Sequence, residues 1–165
     1  MQFLQHNHLQ GGGNPLLSLG IYHLDILTGV MSFNKLKNTF FIDRIAYKMG
    51  TSVTGGSNKL LKHFLRTMSP TEVHTYSAND LFSGKVYRSM GFDFSHCTEP
   101  RYFYIKGGIR HNRQQFQKKR LISQGYDSHL TEKEIMHMRG YMRIHDSGNT
   151  KWILNNNQLN SLLGY

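Results

Sequence analysis

"TSVTGGSNKLLKHFLR", residues 51–66, is the stretch on which the fold turns. Thr51 to Ser57 is small and polar, with glycine at 55 and 56. An amphipathic run follows at once. Leu60, Leu61, Phe64, Leu65 and Met68 fall on one helical stripe, and Lys59, Lys62, His63 and Arg66 lie largely off it. Two readings are open. Glycines let a backbone approach a ligand, and unpaired N–H groups at a helix start attract phosphate. The same residues also make a plain turn in which Ser57 caps the helix.

Upstream, residues 2–9 read as a short helix stopped by Gly11, Gly12, Gly13 and Pro15. Residues 21–24 and 27–33 read as a hairpin turning near Asp25, and "TFFIDRIAY", 39–47, as a third strand. Downstream, Ser69-Pro70 ends the helix and "EVHTYS", 72–77, is a strand. "SGKVYRSMGF", 83–92, holds a short helix stopped by Gly91, and "FDFS" begins another strand. "RYFYI", 101–105, is a strand, and Thr131 with Glu134 forms a capping box that opens a helix to about Arg139. Residues 141–154 read as a hairpin around Asp146 to Asn149, and "NNNQ", 155–158, as loosely ordered. The expected class is α/β (α+β), a mixed central sheet flanked by helices. The expected division is a core over 1–100, a basic strand-helix-hairpin extension over 101–154, and a tail over 155–165.

The 165 residues suit one domain with an appendage. Lys and Arg number 20 against 10 acids, for a net charge of +10, which favours a polyanionic partner, most simply nucleic acid. The clearest signal is the run from Arg101 to Arg120, with seven cations and no acid. Arg101, Lys106, Arg110, Arg113, Lys118, Lys119 and Arg120 are expected phosphate contacts, with Tyr104 available to stack on a base. A merely solvated basic face is the alternative. The single cysteine, Cys97, rules out an intramolecular disulfide and fits a reducing compartment. No apolar run reaches the roughly 18 to 20 residues of a spanning helix, and no signal pattern opens the chain. A membrane partner is not expected, and the chain reads as cytoplasmic. There is no H-E-x-x-H, Cys-based metal spacing or paired-carboxylate nuclease signature, and the metal question stays open.

The glycine-bearing loop entering a helix, followed by Tyr87, Gly91 and Phe92 of "SGKVYRSMGF", resembles the acyl-coenzyme A N-acyltransferase (GNAT) fold. "NHLQG" (7–11), "LGIY" (19–22), "TYS" (75–77), "P.YFY" (100–104) and "TE.E.M...GY.RI.DSGN.KW" (131–152) extend the likeness to GNAT-like domains of phage homing-endonuclease-associated proteins and, distantly, to Mom-type DNA modification proteins. The resemblance implies a fold whose first strand is not expected within this sequence. The resemblance implies that Val53, Thr54, Gly55, Gly56, Ser57 and Asn58 receive a coenzyme pyrophosphate, with acetyl-CoA or another acyl-CoA donor. It implies catalytic roles for Tyr76 or Tyr87 as proton donor and Asp80 as acceptor, and a metal or substrate role for His8, with His74 and Tyr76 converging on it. A core aromatic contact is the plainer reading of Tyr87. Iron follows from the Mom likeness alone. Three functions are in play: a group-transfer enzyme that modifies a DNA base, a non-catalytic DNA-binding module of a homing system, and an N-acetyltransferase of a protein or small-molecule amine. The partners implied are duplex DNA and a fused or separate nuclease, in a bacterial host cytoplasm.

Overall fold

Two chain segments far apart in sequence meet in one sheet. The computed structural model describes residues 2–164. It opens with α1 (Gln2–Asn7), β1 (Leu17–His23), β2 (Ile26–Leu36), β3 (Thr39–Tyr47), α2 (Gly56–Met68), β4 (Glu72–Ala78), α3 (Lys85–Ser89) and β5 (Asp93–Cys97). There follow β6 (Tyr102–Lys106), β7 (Ile109–His111), a 3-10 turn (Arg113–Phe116), α4 (Lys118–Ser123), α5 (Glu132–Met138) and β8 (Met142–His145). The chain ends with β9 (Asn149–Asn155) and α6 (Asn156–Leu163). The chain up to Cys97 and from Thr150 onward forms one compact unit, and Thr98–Asn149 forms a second. No described helix is long and apolar enough to cross a membrane.

The first unit carries a six-stranded sheet ordered β1-β2-β3-β4-β9-β5. β1, β2 and β3 run antiparallel, and β3 and β4 are parallel across the α2 connection. The mixed sheet expected from the element order is therefore present, with helices on both faces. The stripe on α2 buries Leu60, Leu61, Phe64 and Leu65, while Met68 at its end is exposed. Phe64 stacks on Phe33 at 3.8 Å between centroids and meets Phe40 edge-on. On the opposite face, Leu4 of α1 packs with Val30 and Ala46.

Three expectations need correction here. Residues 141–154 are not a hairpin. β8 pairs with β6 through Phe103↔Ile144 and its neighbours, whereas β9 pairs with β5 through Phe94↔Trp152. Trp152 and Leu154 need a large core to bury them, and β8, exposed at every position, offers none. The segment 155–165 is not a loose tail over its described length. Asn156–Leu163 is a helix, and Leu159, with Leu162 and Leu163 at helical spacing, packs on the main core. The basic region is consequently not a C-terminal extension over 101–154. It is the unit Thr98–Asn149, inserted between two strands that neighbour each other in the sheet.

That second unit is an antiparallel sheet, β7-β6-β8, over a core of Tyr104, Phe116, Leu121, Ile135 and Met136. Its expected capping box forms: the Thr131 hydroxyl accepts from the Glu134 amide, and the Glu134 carboxylate accepts from the Thr131 amide. The Glu132 carboxylate accepts from both Tyr102 and Tyr104 hydroxyls, at 3.0 and 3.1 Å.

In the first unit, Trp152 ties β9 to its surroundings. Its indole N–H donates to Ser77 Oγ at 2.9 Å, and its ring lies where a side chain on Gly84 would stand, 2.2 Å from the nearest ring carbon. Gly84 (φ 69°) and Gly55 (φ 68°) both precede helices in the left-handed region, but only Gly84 meets a ring. Gly55→Ala should cost about 1 kcal/mol, the left-handed backbone term alone. Gly84→Ala should cost about 3 kcal/mol, because overpacking adds to that term. Urea unfolding of the two variants checks this, and equal losses would show that the Trp152 contact yields without cost.

Candidate functional site

The sheet opens between β3 and β4. The two strands pair only at Phe40↔Val73 and Phe41↔His74. The Thr75 hydroxyl still reaches the Ile42 carbonyl at 3.2 Å, and no pairing between the strands follows. The cause lies on the other side of β3. Ser32 faces Arg44 while Phe33 faces Ile42, which leaves Asp43 as an extra residue. Such a bulge bends its strand and sharpens the local twist. β3 is turned aside from Asp43 onward, at the carboxyl ends of two parallel strands.

The loop after β3 bears on this opening. Tyr47, the last residue of β3, bonds through its hydroxyl to Ser57 Oγ at 2.7 Å. Ser57 is thus in the first turn of α2 and does not cap it; Gly55 is the N-cap, with no side-chain cap bond. The Gly56 amide donates to the Val53 carbonyl and the Lys59 amide to the Gly55 carbonyl. Among the described residues the amides of Ser57 and Asn58 find no acceptor, as expected of donors in a first turn. Thr54 and Gly55 are exposed, and a side chain at Gly55 would meet nothing within 4 Å. Gly56 is different. A Cβ there would lie 2.8 Å from the Tyr47 hydroxyl and 3.0 Å from Val53 Cγ1, so this glycine is required by internal packing. The donor set and open approach fit a pyrophosphate at the start of α2.

Tyr87 stands at the opening from the other side. Its ring packs near Phe92 and Trp152. Burial pushes its phenol pKa up, with the Thr75 hydroxyl and the Arg44 charge pulling the other way. It therefore keeps its proton well above neutral pH. The two readings of Tyr87 hold together: the ring is a packing contact, and the hydroxyl reaches Thr75 where the strands part.

Sequence reasoning missed Arg44 and Asp43. Arg44 Nη1 donates to the Asp43 carbonyl at 2.8 Å and to its carboxylate at 2.9 Å, while Arg44 Nε is buried without a partner. A charged pair inside the otherwise apolar "TFFIDRIAY" was the available signal. Burial lowers the His8 pKa, Arg44 adds to the fall, and Asp43 opposes it. His8 Nδ1 accepts from the Gln10 amide at 3.1 Å, which leaves Nε2 to carry the proton of the neutral ring.

The expected convergence of His8, His74 and Tyr76 is not found. His74 and Tyr76 share one face of β4 and meet edge-on at 5.7 Å, with His74 stacked on Phe41. Among the described residues neither makes a ring contact or hydrogen bond with His8, whose charged neighbours are on β3. The alternation of β4, which buries Val73, Thr75 and Ser77, turns Tyr76 to solvent. Asp80 is exposed on the loop between β4 and α3. Among the described residues no three His, Cys, Asp or Glu side chains gather as a metal site, and the residues present do not fit an iron ion.

In the second unit the expected nucleic-acid residues divide. Tyr104 is 1% exposed and closed to base stacking. Burial and the Glu132 charge push its phenol well up. Arg113 lies over the Tyr102 ring and 3.5 Å from Glu132, Arg110 over Phe103, and Lys106 donates to the Arg139 carbonyl. These three serve the unit's own packing while remaining exposed. Arg101, Lys118, Lys119 and Arg120 are exposed.

No family model matches the sequence, and no curated protein matches it. Solved structures do. An acetyltransferase of Bacillus subtilis in complex with CoA aligns with a TM-score of 0.50 and 15% identity, over 84% of this chain and 75% of that one. The ribosomal-protein-S18-alanine N-acetyltransferase of Escherichia coli aligns at 0.47 and 13%, over 59% and 71%. The IAA acetyltransferase of Bacillus cereus aligns at 0.46 and 16%, over 82% and 75%. The fold is that of the GNAT N-acyltransferases.

The histidines make stability depend on pH. His8 and His74 both have pKa values lowered from 6.5 in the folded chain, chiefly by burial. The unfolded chain then binds more protons than the folded one as pH falls through about 6.5, so stability drops on acidification from there to the folded values. Urea midpoints measured from pH 7.5 to 5 should fall for the parent and fall less for His8→Gln and His74→Gln.

Proposed function

We propose that the first unit is an acyl-coenzyme A-dependent N-acyltransferase. The observation that carries this is the parted pair β3 and β4, with unpartnered α2 amides at one end and a protonated Tyr87 hydroxyl beside Thr75. An acyl-coenzyme A would supply a thioester carbonyl and a sulfur leaving group. The Ser57 and Asn58 amides would hold its pyrophosphate, aided by the helix dipole. Tyr87 Oη holds the proton that a departing sulfur requires, and Asp43, at the bulge, offers a carboxylate for the proton lost by the acceptor nitrogen. His8 presents a donor at Nε2 rather than a base, because its Nδ1 lone pair is engaged. Arg44, with Nε unpartnered, would orient the acceptor.

The reading is tested by acetyl-CoA calorimetry and by thiol release with a panel of amines. Tyr87→Phe should keep acetyl-CoA affinity within about threefold and lower kcat by about 10²-fold or more, the usual worth of a positioned proton donor. A parent protein that binds no acyl-coenzyme A would overturn the proposal.

A second reading, a DNA-acting protein, is favoured by charge. Thr98–Asn149 holds half of the 20 cations and half of the 10 acids in under a third of the chain. Consecutive Lys118, Lys119 and Arg120 lie exposed on α4. DNA would then be the acceptor, as the likeness to Mom-type proteins implies, or the docking partner of an idle transferase fold within a homing system. Duplex affinity measured against salt separates these from a protein or small-molecule acceptor. Replacing Lys118, Lys119 and Arg120 with Ala should weaken duplex binding and flatten the logarithmic salt slope by about 0.9 for each phosphate that is no longer neutralised. Unchanged binding in the folded triple variant would remove α4 from the interface.

A further inference from the structure

The second unit contains a concavity of about 400 Å³ between α5 and β8 that none of the expected contacts accounts for. Two periodicities build it. Lys133 and His137 are four apart on α5 and share a helix face, while Arg143 and His145 are two apart on β8 and share a strand face. All four are exposed and line the same space. Tyr141 and Met142 supply its accessible apolar lining, with the buried Tyr104 behind them.

Among the described residues no acid lines the concavity, and the acids nearest in sequence are occupied. Glu132 is held by Tyr102, Tyr104 and Arg113, Glu134 closes the capping box on Thr131, and Asp146 accepts from the Arg101 and Gly148 amides. Arg143 is steadied over the Tyr102 ring, 4.8 Å from its centroid. Among the described residues no ion pair involves Lys133, His137, Arg143 or His145. Each imidazole offers a donor in either protonation state. The volume lies at the small end of the range for organic ligands, above what a bare ion needs.

We infer that the concavity between α5 and β8 binds the phosphate ester of a nucleotide, held by Lys133, His137, Arg143 and His145. The phosphate takes charge-assisted bonds from the four donors. The sugar or base lies against the aromatic and methionine lining. Two sources carry this chemistry, a free nucleotide and a nucleic-acid strand. For the strand, the inference rests on the nucleic-acid reading of this unit and adds the α5–β8 face to the α4 cations as an anchor.

The test uses the full chain. Binding of 5′-AMP is measured by calorimetry and of a labelled duplex by anisotropy. The parent is compared with Lys133→Gln/Arg143→Gln, with Lys133→Gln/His137→Gln, and with Lys118→Gln/Lys119→Gln, which serves as the control for 5′-AMP and as the α4 comparison for the duplex. The second double variant leaves the Arg143 stacking on Tyr102 intact and guards against a folding defect. Loss of each phosphate donor should weaken binding about tenfold, the usual worth of a hydrogen bond to a charged group. Weakened 5′-AMP binding in both concavity variants, with the α4 control unchanged, supports a free nucleotide. Weakened duplex binding in both, with no 5′-AMP binding by the parent, supports a strand. Duplex binding that responds only to the α4 control overturns the inference and leaves the nucleic-acid reading standing. A parent that binds neither ligand overturns both.

Discussion

The indole of Trp152 is the contact on which the first unit depends. It arrives on β9 after the whole of Thr98–Asn149 has intervened, and it enters the sheet between β4 and β5. Its N–H donates to Ser77 on β4, and its ring occupies the space that Gly84 leaves open at the start of α3. Arg88 lies over the same ring, 5.6 Å from its centroid. α3 is only a single short helix, Lys85–Ser89, with no fully buried residue of its own. A helix that short has little stability in isolation, so its position is set by tertiary contacts. Through Trp152 the last strand of the chain fixes where Tyr87 stands.

The opening in the sheet follows from a second constraint, the extra residue at Asp43. It sits just past Phe41↔His74, where β3 and β4 cease pairing, and a bulge bends its strand. The bulge also sets Asp43 and Arg44 side by side at the divide, where an ordinary strand would turn alternate side chains to opposite faces. Tyr47 then anchors the following loop. Its ring sits against both Gly29 and Gly56, and its hydroxyl holds Ser57. Of the two glycines in the loop, one belongs to this packing and the other leaves the helix start uncovered.

In the second unit, charge and packing compete for the same residues. Arg110, Arg113, Arg139, Arg143 and Lys106 all lie over aromatic rings. A small unit with few buried aliphatic side chains gains from such cation–π contacts and from the apolar stems of long cations. Its net positive charge is therefore a poor guide to which cations remain for a partner. Among the described residues Arg101, the α4 cations and Lys133 lie over no ring, whereas Arg143 is both stacked on Tyr102 and exposed to the concavity between α5 and β8.

Much of the local structure was legible along the chain. The helical stripe at Leu60, Leu61, Phe64 and Leu65, the strand over 39–47, and the Thr131–Glu134 capping box depend on spacing within one element, and neighbouring residues suffice to impose it. The fold class followed from the order of those elements. Other features depended on what one element meets in another. Trp152 reads the same on a local hairpin as on a strand that closes a distant sheet; only the size of the core available to bury it decides. Tyr104 reads as an aromatic beside cations until the sheet turns its ring inward. His8 reads toward His74 and Tyr76 along the chain, but the bulge at Asp43 gives it charged neighbours on β3. The sequence by itself determined periodicity, caps, charge and the glycine-bearing loop, because these are set within a few residues. Tertiary structure alone decided the parting of β3 and β4, the placing of Tyr87 and Arg44 beside it, and the pocket of Lys133, His137, Arg143 and His145, because each needs side chains brought together from separate elements.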